Sequence, residues 1–178
     1  MTEAKFLSMV QSRTARVAIS PSTVRGRGNA GTVAASQRFL RSLPLRRFAL
    51  HNPRRFATEL DRTTDDLCAA LPRKAQHWGL ARKILNVFLR DCLYTTYLAE
   101  AYHLPGAERF LELPLDSITA RQLQHAAGRG VLPRWPDVRQ VTADVSALYQ
   151  AVAAREAKNQ NIARIHLDAL WWAAGRDT

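Results

Sequence analysis

Residues 84–98 carry the strongest helical pattern in the chain. Apolar residues recur there at intervals of three and four, the spacing that places side chains on one face of an α-helix. Weaker patterns of the same period occupy residues 33–43, 56–71, 117–127, 142–152 and 162–174. No stretch alternates between apolar and polar residues as a half-buried strand does. The sequence therefore predicts an all-α fold, a compact orthogonal helical bundle without internal repeats.

The chain has 178 residues, which suit one folded domain with a buried core. Its first 32 residues differ from the rest, because glycines alternate there with Arg25, Arg27 and Asn29. We expect a basic, loosely structured N-terminal segment over residues 1–32 and a single helical domain over residues 33–178.

Positive charge is concentrated in the first third of the chain. The formal net charge is +11, and residues 1–60 hold 11 basic against 2 acidic residues, which amounts to +9. A basic segment on a nearly neutral body favours a polyanionic partner, most simply nucleic acid. An anionic membrane is disfavoured, since no clear amphipathic helix carries the charge and no apolar run reaches about 18 residues. The residues that we expect to contact DNA phosphates are Arg38, Arg41, Arg46, Arg47, Arg54, Arg55 and, in a later loop, Arg134.

The cysteines and histidines indicate no metal or cofactor. Cys68 and Cys92 are the two cysteines of the chain; this low number favours a reducing compartment, and both fall within helical apolar patterns. There is no four-cysteine set, and the five histidines lack metal-ligand spacing with acidic residues. The N-terminus shows no apolar core of a signal peptide. We therefore expect a cytoplasmic protein that binds no metal.

A short stretch before the strongest helix combines a predicted turn with a lysine. Gly79 and Ala81 are expected in a tight turn whose backbone N–H groups hold a phosphate, with Arg82 as a further DNA contact. Lys83 is expected in the first turn of the helix, where a positive charge is disfavoured and a neutral amine is favoured. A neutral amine is the nucleophile that imine chemistry requires. A solvated helix lysine is the alternative interpretation.

An aspartate 33 positions after Lys83 precedes another helical pattern. Asp116 follows a proline-containing loop, and its place before an apolar pattern is typical of an N-cap. A carboxylate fixed by the start of a helix points in one direction and can stabilise positive charge. The capping interpretation and the catalytic interpretation are compatible.

The last helical pattern places an acid beside an indole. Asp168 and Trp172 are four residues apart, so they share a helix face. Such a pair could hydrogen-bond to a base everted from a duplex and stack on it. Packing in the core is the alternative, which we prefer for Trp171 and weigh evenly for Trp172.

Together these stretches resemble the helix-hairpin-helix DNA glycosylase superfamily over roughly residues 75–175. Residues 79–83 look like its hairpin and lysine, and residues 113–117 resemble its catalytic aspartate motif. The spacing between them and the terminal residues 166–172 are most similar to the archaeal 8-oxoguanine DNA glycosylases.

The resemblance implies a monomeric enzyme of a bacterium or archaeon that flips a modified or damaged base out of double-stranded DNA and excises it. It implies that Lys83 forms a Schiff base, which also permits AP-lyase chemistry, and that Asp116 is the catalytic aspartate. By the same resemblance Asp168 and Trp172 line the base pocket. Gln37 is a candidate for that pocket by its chemistry alone.

Two departures from the family pattern bear on the substrate. Ala81 replaces the second hairpin glycine, and Val87 lacks the aromatic ring expected in an 8-oxoguanine pocket. We therefore expect weak or no activity on 8-oxoguanine and better activity on another modified base. Hypermodified phage cytosine is the first candidate, which would place the protein in antiviral defence instead of repair.

Two other functions remain open. A non-catalytic helix-hairpin-helix DNA-binding module would keep the basic surface and use Lys83 as a phosphate contact. An all-α ribonuclease would use an arginine and a histidine a few residues apart on one helix. The pairs that fit this spacing are Arg46 with His51, Arg73 with His77, and Arg121 with His125.

Overall fold

The computed structural model describes residues 1–24 and 30–174, with the backbone alone for residues 172–174. Every regular element in these ranges is helical, which confirms the all-α class. The α-helices are α1 (Glu3–Ala18), α2 (Pro21–Val24), α3 (Thr32–Arg41), α4 (Pro53–Ala70), α5 (Trp78–Tyr94), α6 (Thr96–Ala101), α7 (Ser117–Ala127), α8 (Ala143–Asn159) and α9 (Leu167–Ala174). Short 3₁₀ helices lie between them at Leu45–Phe48, Arg73–Ala75, Leu104–Phe110 and Arg164–His166.

Helix α5 lies at the centre of the fold. It packs against α1, α4, α6 and the 3₁₀ helix Leu104–Phe110, with smaller contacts to α2, α3 and α8. Eleven of its 17 residues are buried, as expected for a helix that is apolar around most of its circumference. One strip of its surface is left uncovered by these helices, and that strip borders a cavity.

Two apolar clusters make up the core. The larger is built mainly by α1, α3, α4 and α5 and includes Phe56 and Phe88. The smaller is built by α7, α8 and the segment before α7, around Leu123 and Tyr149. The Trp135 side chain packs against both clusters and so ties them together.

The first 24 residues are folded, so the predicted loosely structured segment over residues 1–32 is wrong for this part of the chain. Helix α1 packs on α3 and α5 and contributes to the larger cluster. The buried Gln11 side chain donates to the carbonyl oxygens of Leu40 and Leu43, at 2.8 Å each. The glycine–arginine run over residues 25–29 lies outside the described residues. The N-terminal helix therefore belongs to the helical domain.

Helix α5 begins at Trp78, so Gly79 and Ala81 lie in its first turn and not in a tight turn before it. The chain reverses earlier, in the connection of residues 71–77 between α4 and α5. A Cβ on Gly79 would meet the Val138 carbonyl oxygen at 2.2 Å, so only glycine allows this close approach. Both residues are buried, which corrects the prediction that they hold a phosphate.

Both cysteines are free thiols. Cys92 is buried in the larger cluster and Cys68 packs against it, as their place in apolar patterns predicted. Among the helices that the structure describes, none has the length and apolar character needed to span a membrane.

Candidate active site

A cavity of about 890 Å³ lies beside α5, where the two core clusters meet. One wall is the uncovered strip of α5, which carries Lys83, Val87, Arg90 and Tyr94. These positions are three or four residues apart, so they form one row, about 16 Å long at 1.5 Å rise per residue. The other walls are the end of α1 with α2, the start of α7, residues 135–138, and α9.

Lys83 lies at one end of this row. Its ammonium group donates to the Thr23 carbonyl oxygen at 2.9 Å and lies 3.3 Å from Asp116 Oδ2. Its side chain is 14% exposed, whereas the other three lysines of the chain are exposed. Because α5 begins at Trp78, Lys83 is in the second turn, which corrects the predicted first-turn position. The helix dipole acts less on the amine there than it would in the first turn.

Asp116 is the N-cap of α7, as predicted. Its Oδ1 accepts the backbone N–H groups of Ile118 and Thr119, at 2.9 and 3.1 Å. The Thr119 hydroxyl accepts the Asp116 N–H at 2.9 Å, which completes a capping box. The helix thus holds Oδ1, while Oδ2 faces Lys83. One carboxylate both caps α7 and presents a fixed negative charge to the cavity.

The extended segment before α7 is held by side chains from two other elements. Gln150 of α8 accepts the Leu113 N–H and donates to the Leu113 carbonyl oxygen, at 3.1 and 2.7 Å. Arg164 donates to two carbonyl oxygens just upstream, at 3.1 Å each. These contacts fix Asp116 relative to α5. The sequence offered no signal for them, because a lone polar residue in a helix does not identify a partner 37 positions away.

Arg82 is a structural residue, which corrects its prediction as a DNA contact. Its side chain is 9% exposed, and its guanidinium donates to Glu112, Asp61 and Thr64 at 2.9, 2.7 and 2.8 Å. Glu112 belongs to the segment before α7, so this contact ties that segment to α5.

Three charged residues lie further along the cavity. Asp168 on α9 pairs with Arg90, which also pairs with Asp91 at 2.9 Å. Burial raises the pKa of the Asp168 carboxyl; Arg90 opposes this shift, whereas the negative charge of Asp116 adds to it. The structure places Asp168 on the cavity wall, with an arginine partner that sequence patterns did not identify.

Two tryptophans border the cavity. Trp171 packs against the smaller cluster, as expected for a core residue, and it also lines the cavity. Trp135 lines it too, edge-on to Tyr149 at 5.2 Å between ring centroids. The side chain of Trp172, the predicted pocket residue, lies outside the described residues.

Gln37 does not line the cavity, which corrects its place in the predicted base pocket. It lies on α3, and its side-chain amide donates to the Ile19 carbonyl oxygen at 2.7 Å. Since Ile19 is the C-cap of α1, the role of Gln37 in this fold is to join α3 to the end of α1.

The arginines predicted from the basic front are all exposed. They lie on α3, on the 3₁₀ helix Leu45–Phe48 and at the start of α4, and none of these elements lines the cavity. The six are Arg38, Arg41, Arg46, Arg47, Arg54 and Arg55. They form a basic surface separate from the cavity walls.

Three connections meet at the Lys83 end of the cavity. The first connection lies between α1 and α3, and its residue Thr23 contacts Lys83. Gly31 of the same connection lies against Pro72, which belongs to the connection between α4 and α5. The loop before α8 joins them through Val138, which packs on the first turn of α5. The exposed cations of these connections include Arg73, Lys74, Arg134 and Arg139.

The histidines of the ribonuclease interpretation do not line the cavity. His51 packs against Gly106, His77 precedes α5, and His125 lies in the last turn of α7. Within residues 1–24 and 30–174, no three His, Cys, Asp or Glu side chains are grouped to hold a metal ion.

No protein-family model, curated protein or solved structure matches the chain. The chemistry of the site therefore carries the functional conclusion. That site brings a shielded amine, a fixed carboxylate and two indole rings to one cavity.

Proposed function

We propose that the chain is a DNA glycosylase with AP-lyase activity, acting on a modified or damaged base flipped out of double-stranded DNA. The observation that carries this proposal is the Lys83 amine, 3.3 Å from the Asp116 carboxylate on the wall of the cavity. A volume of about 890 Å³ is in the range of sites that enclose a small molecule or a single nucleotide.

In the proposed reaction the bond between sugar C1′ and the base breaks, and its electron pair leaves with the base. The positive charge that develops on the sugar lies against the Asp116 carboxylate. The first backbone N–H groups of α7 already hold this carboxylate in place. Lys83 gives a proton to Asp116 Oδ2 and its neutral amine bonds to C1′. After loss of a second proton from nitrogen to O4′, the C1′–O4′ bond opens and a protonated imine remains.

The helix-hairpin-helix element of this proposal is α4, the connection of residues 71–77, and α5. Since the first turn of α5 is buried, we assign the nearest phosphate contacts to Arg73 and Lys74 of the connection. Arg134 and Arg139 lie on another connection at the same end of the cavity. The separate basic surface over α3 and α4 adds long-range attraction for DNA.

Asp168, Trp171 and Trp135 would surround the everted base. Val87 leaves the α5 wall next to Lys83 without an aromatic ring, and the cavity continues past it to Tyr94. This length favours a base larger than 8-oxoguanine. Hypermodified phage cytosine is the first candidate, with a role in antiviral defence, and 8-oxoguanine repair is the alternative.

A screen for base release tests the proposal. Oligonucleotides carrying 8-oxoguanine and phage genomic DNAs carrying modified bases are incubated with the wild type and with Asp116→Asn. Asparagine keeps an acceptor for the α7 amides but removes the charge, so release should fall about 10²–10³-fold while the fold is retained. Equal rates for the two proteins would refute the role assigned to Asp116.

A further inference from the structure

The Lys83 ammonium group has a second acceptor besides Asp116, and this acceptor belongs to the backbone. The Thr23 carbonyl oxygen lies 2.9 Å from Nζ, closer than Asp116 Oδ2 at 3.3 Å. A lysine nitrogen is tetrahedral and carries three donors. Because Cε and the two acceptors take three of its directions, the remaining direction is fixed as well. The nitrogen therefore has a defined orientation in the free protein.

Helix α2 presents this carbonyl because the helix is too short to use it. The last four carbonyl groups of an α-helix have no partner within the helix, and α2 has only four residues. Carbonyl oxygens at the end of a helix carry partial negative charge and attract a lysine ammonium group. The Thr23 carbonyl is therefore available to Lys83, which lies 60 positions further along the chain.

The side chain of Thr23 holds the same residue in place. Its hydroxyl donates to the Ala18 carbonyl oxygen, at the end of α1, at 2.8 Å and accepts the Ser20 N–H at 3.2 Å. The Thr23 N–H donates to the Ser20 carbonyl oxygen at 3.0 Å. These bonds tie the turn of α2 to the end of α1. The position of the Thr23 carbonyl thus depends on the hydroxyl of the same residue.

Both flanks of this turn are packed into the fold. Ile19, before the turn, is fully buried, and its carbonyl oxygen accepts the Gln37 amide at 2.7 Å. Val24, the last residue of α2, packs in the larger cluster. Thr23 lies between them and lines the cavity beside Lys83. The turn is therefore a built part of the cavity wall, against which the lysine nitrogen is held.

We propose that Thr23 is a positioning residue for the Lys83 amine. This inference rests on the proposed glycosylase function, in which Lys83 gives a proton to Asp116 Oδ2 before its nitrogen bonds to C1′. That transfer neutralises the ion pair that held the nitrogen. A backbone carbonyl only accepts hydrogen bonds, so the Thr23 oxygen still accepts one N–H of the neutral amine. It keeps the nitrogen at the cavity wall, with the lone pair turned away from the carbonyl, while C1′ approaches.

Borohydride trapping on a duplex with one abasic site tests this role in the full chain. The single-turnover rate is measured against protein concentration, which separates the maximum rate from the half-saturating concentration. Thr23→Val keeps the shape of the side chain and removes its hydroxyl, whereas Thr23→Ser keeps a hydroxyl. Thr58→Val is the matched control. The Thr58 hydroxyl also donates to a carbonyl oxygen, that of Arg54 at 3.0 Å, but Thr58 does not line the cavity.

A second variant weakens the carbonyl directly. Replacing Val24 with the corresponding α-hydroxy acid turns the amide between Thr23 and Val24 into an ester. An ester carbonyl oxygen is a weaker acceptor than an amide carbonyl oxygen, and the Thr23 side chain is unchanged. This variant therefore tests the carbonyl without removing the hydroxyl.

Thr23→Val should lower the maximum rate about 10-fold or more, because the amine loses its alignment with C1′. The half-saturating concentration should stay within about twofold of the wild type, since Thr23 acts on the lysine and not on DNA binding. Thr23→Ser should restore most of the rate. The ester variant should lower the maximum rate about threefold to 10-fold. Thr58→Val should match the wild type in both quantities.

A wild-type maximum rate for folded Thr23→Val would overturn the inference. A loss that Thr23→Ser shares in full, or one confined to the half-saturating concentration, would overturn it too. Circular dichroism shows whether each variant is folded. If Thr23→Val is unfolded, the ester variant decides alone, and a wild-type rate for it would overturn the inference while the lysine chemistry stands. Failure of the wild type to trap abasic DNA would instead refute the proposed function.

Discussion

Replacing Arg82 with methionine tests whether this arginine holds the site together. The variant leaves Glu112, whose side chain is 14% exposed, without the arginine that contacts it, while the more distant charge of Arg164 still acts on it. Breaking a buried ion pair costs about 3–5 kcal/mol. The Asp61 side chain is 58% exposed, so loss of its ion pair with Arg82 adds little to this cost. The side-chain amide of Asn86 lies 3.3 Å from Glu112 Oε2 and still partly satisfies that carboxylate. We therefore expect the free energy of unfolding to fall by an amount near the lower end of this range, about 3 kcal/mol, and Tm to fall by about 6–12 °C.

Urea unfolding followed by circular dichroism measures this loss, and a second substitution identifies its cause. Arg82→Met combined with Glu112→Leu removes the uncompensated carboxylate, so the double variant should recover part of the lost stability. The salt dependence of DNA binding, measured where both proteins are folded, should match the wild type. A loss below about 1 kcal/mol, together with a salt slope lower by about one unit, would show that Arg82 contacts a phosphate and would refute the structural assignment.

Three further predictions concern packing, phosphate contacts and pH. Gly79→Ala should lower the free energy of unfolding by about 1–3 kcal/mol in urea, because its Cβ meets the Val138 carbonyl oxygen; a neutral effect would contradict this packing. Arg73→Gln should lower the salt slope of DNA binding by about 0.9, whereas the matched variant Arg54→Gln should change it less; the reverse order would move the DNA to the α3–α4 surface. Asp168→Asn should be more stable than the wild type at neutral pH, because burial raises the folded-state pKa of Asp168 and ionisation therefore costs stability as pH rises above about 4. That advantage should vanish below about pH 4 in urea titrations, and a less stable variant at neutral pH would show that the Arg90 pair outweighs burial.

Helix α5 could be predicted from sequence, because its buried face is made mostly of large apolar residues. Helices α7 and α8 bury fewer such residues, and the N-cap side chains of Asp116 and Thr142 mark where these two helices begin. Helix α1 could not be predicted in this way. Its buried positions include Gln11, Thr14 and Ala15, which carry little apolar signal. The bond from Gln11 to α3 exists only once both helices are in place.

The candidate site was predictable in part. Lys83 and Asp116 were identified from a resemblance, and folding brings them to 3.3 Å. Arg90 and Tyr94 share a helix face with Lys83, so their spacing could have indicated one row. Which face of α5 borders a cavity depends on how the other helices pack around it, and the residues of α5 alone do not determine that packing. The burial of Arg82 could not be predicted for the same reason. Its charge favoured an exposed position, but Asp61 and Glu112, which bind it, lie on two other segments of the chain.

Covalent trapping of abasic DNA tests the central claim most directly. A duplex with one abasic site is incubated with the protein under borohydride, which reduces an imine to a stable amine. The wild type and the control Lys5→Gln, which alters an exposed lysine, should both give a protein–DNA adduct. Lys83→Gln should give none while still binding the duplex. An adduct from Lys83→Gln equal to that of the wild type, or no adduct from the wild type, would contradict the account.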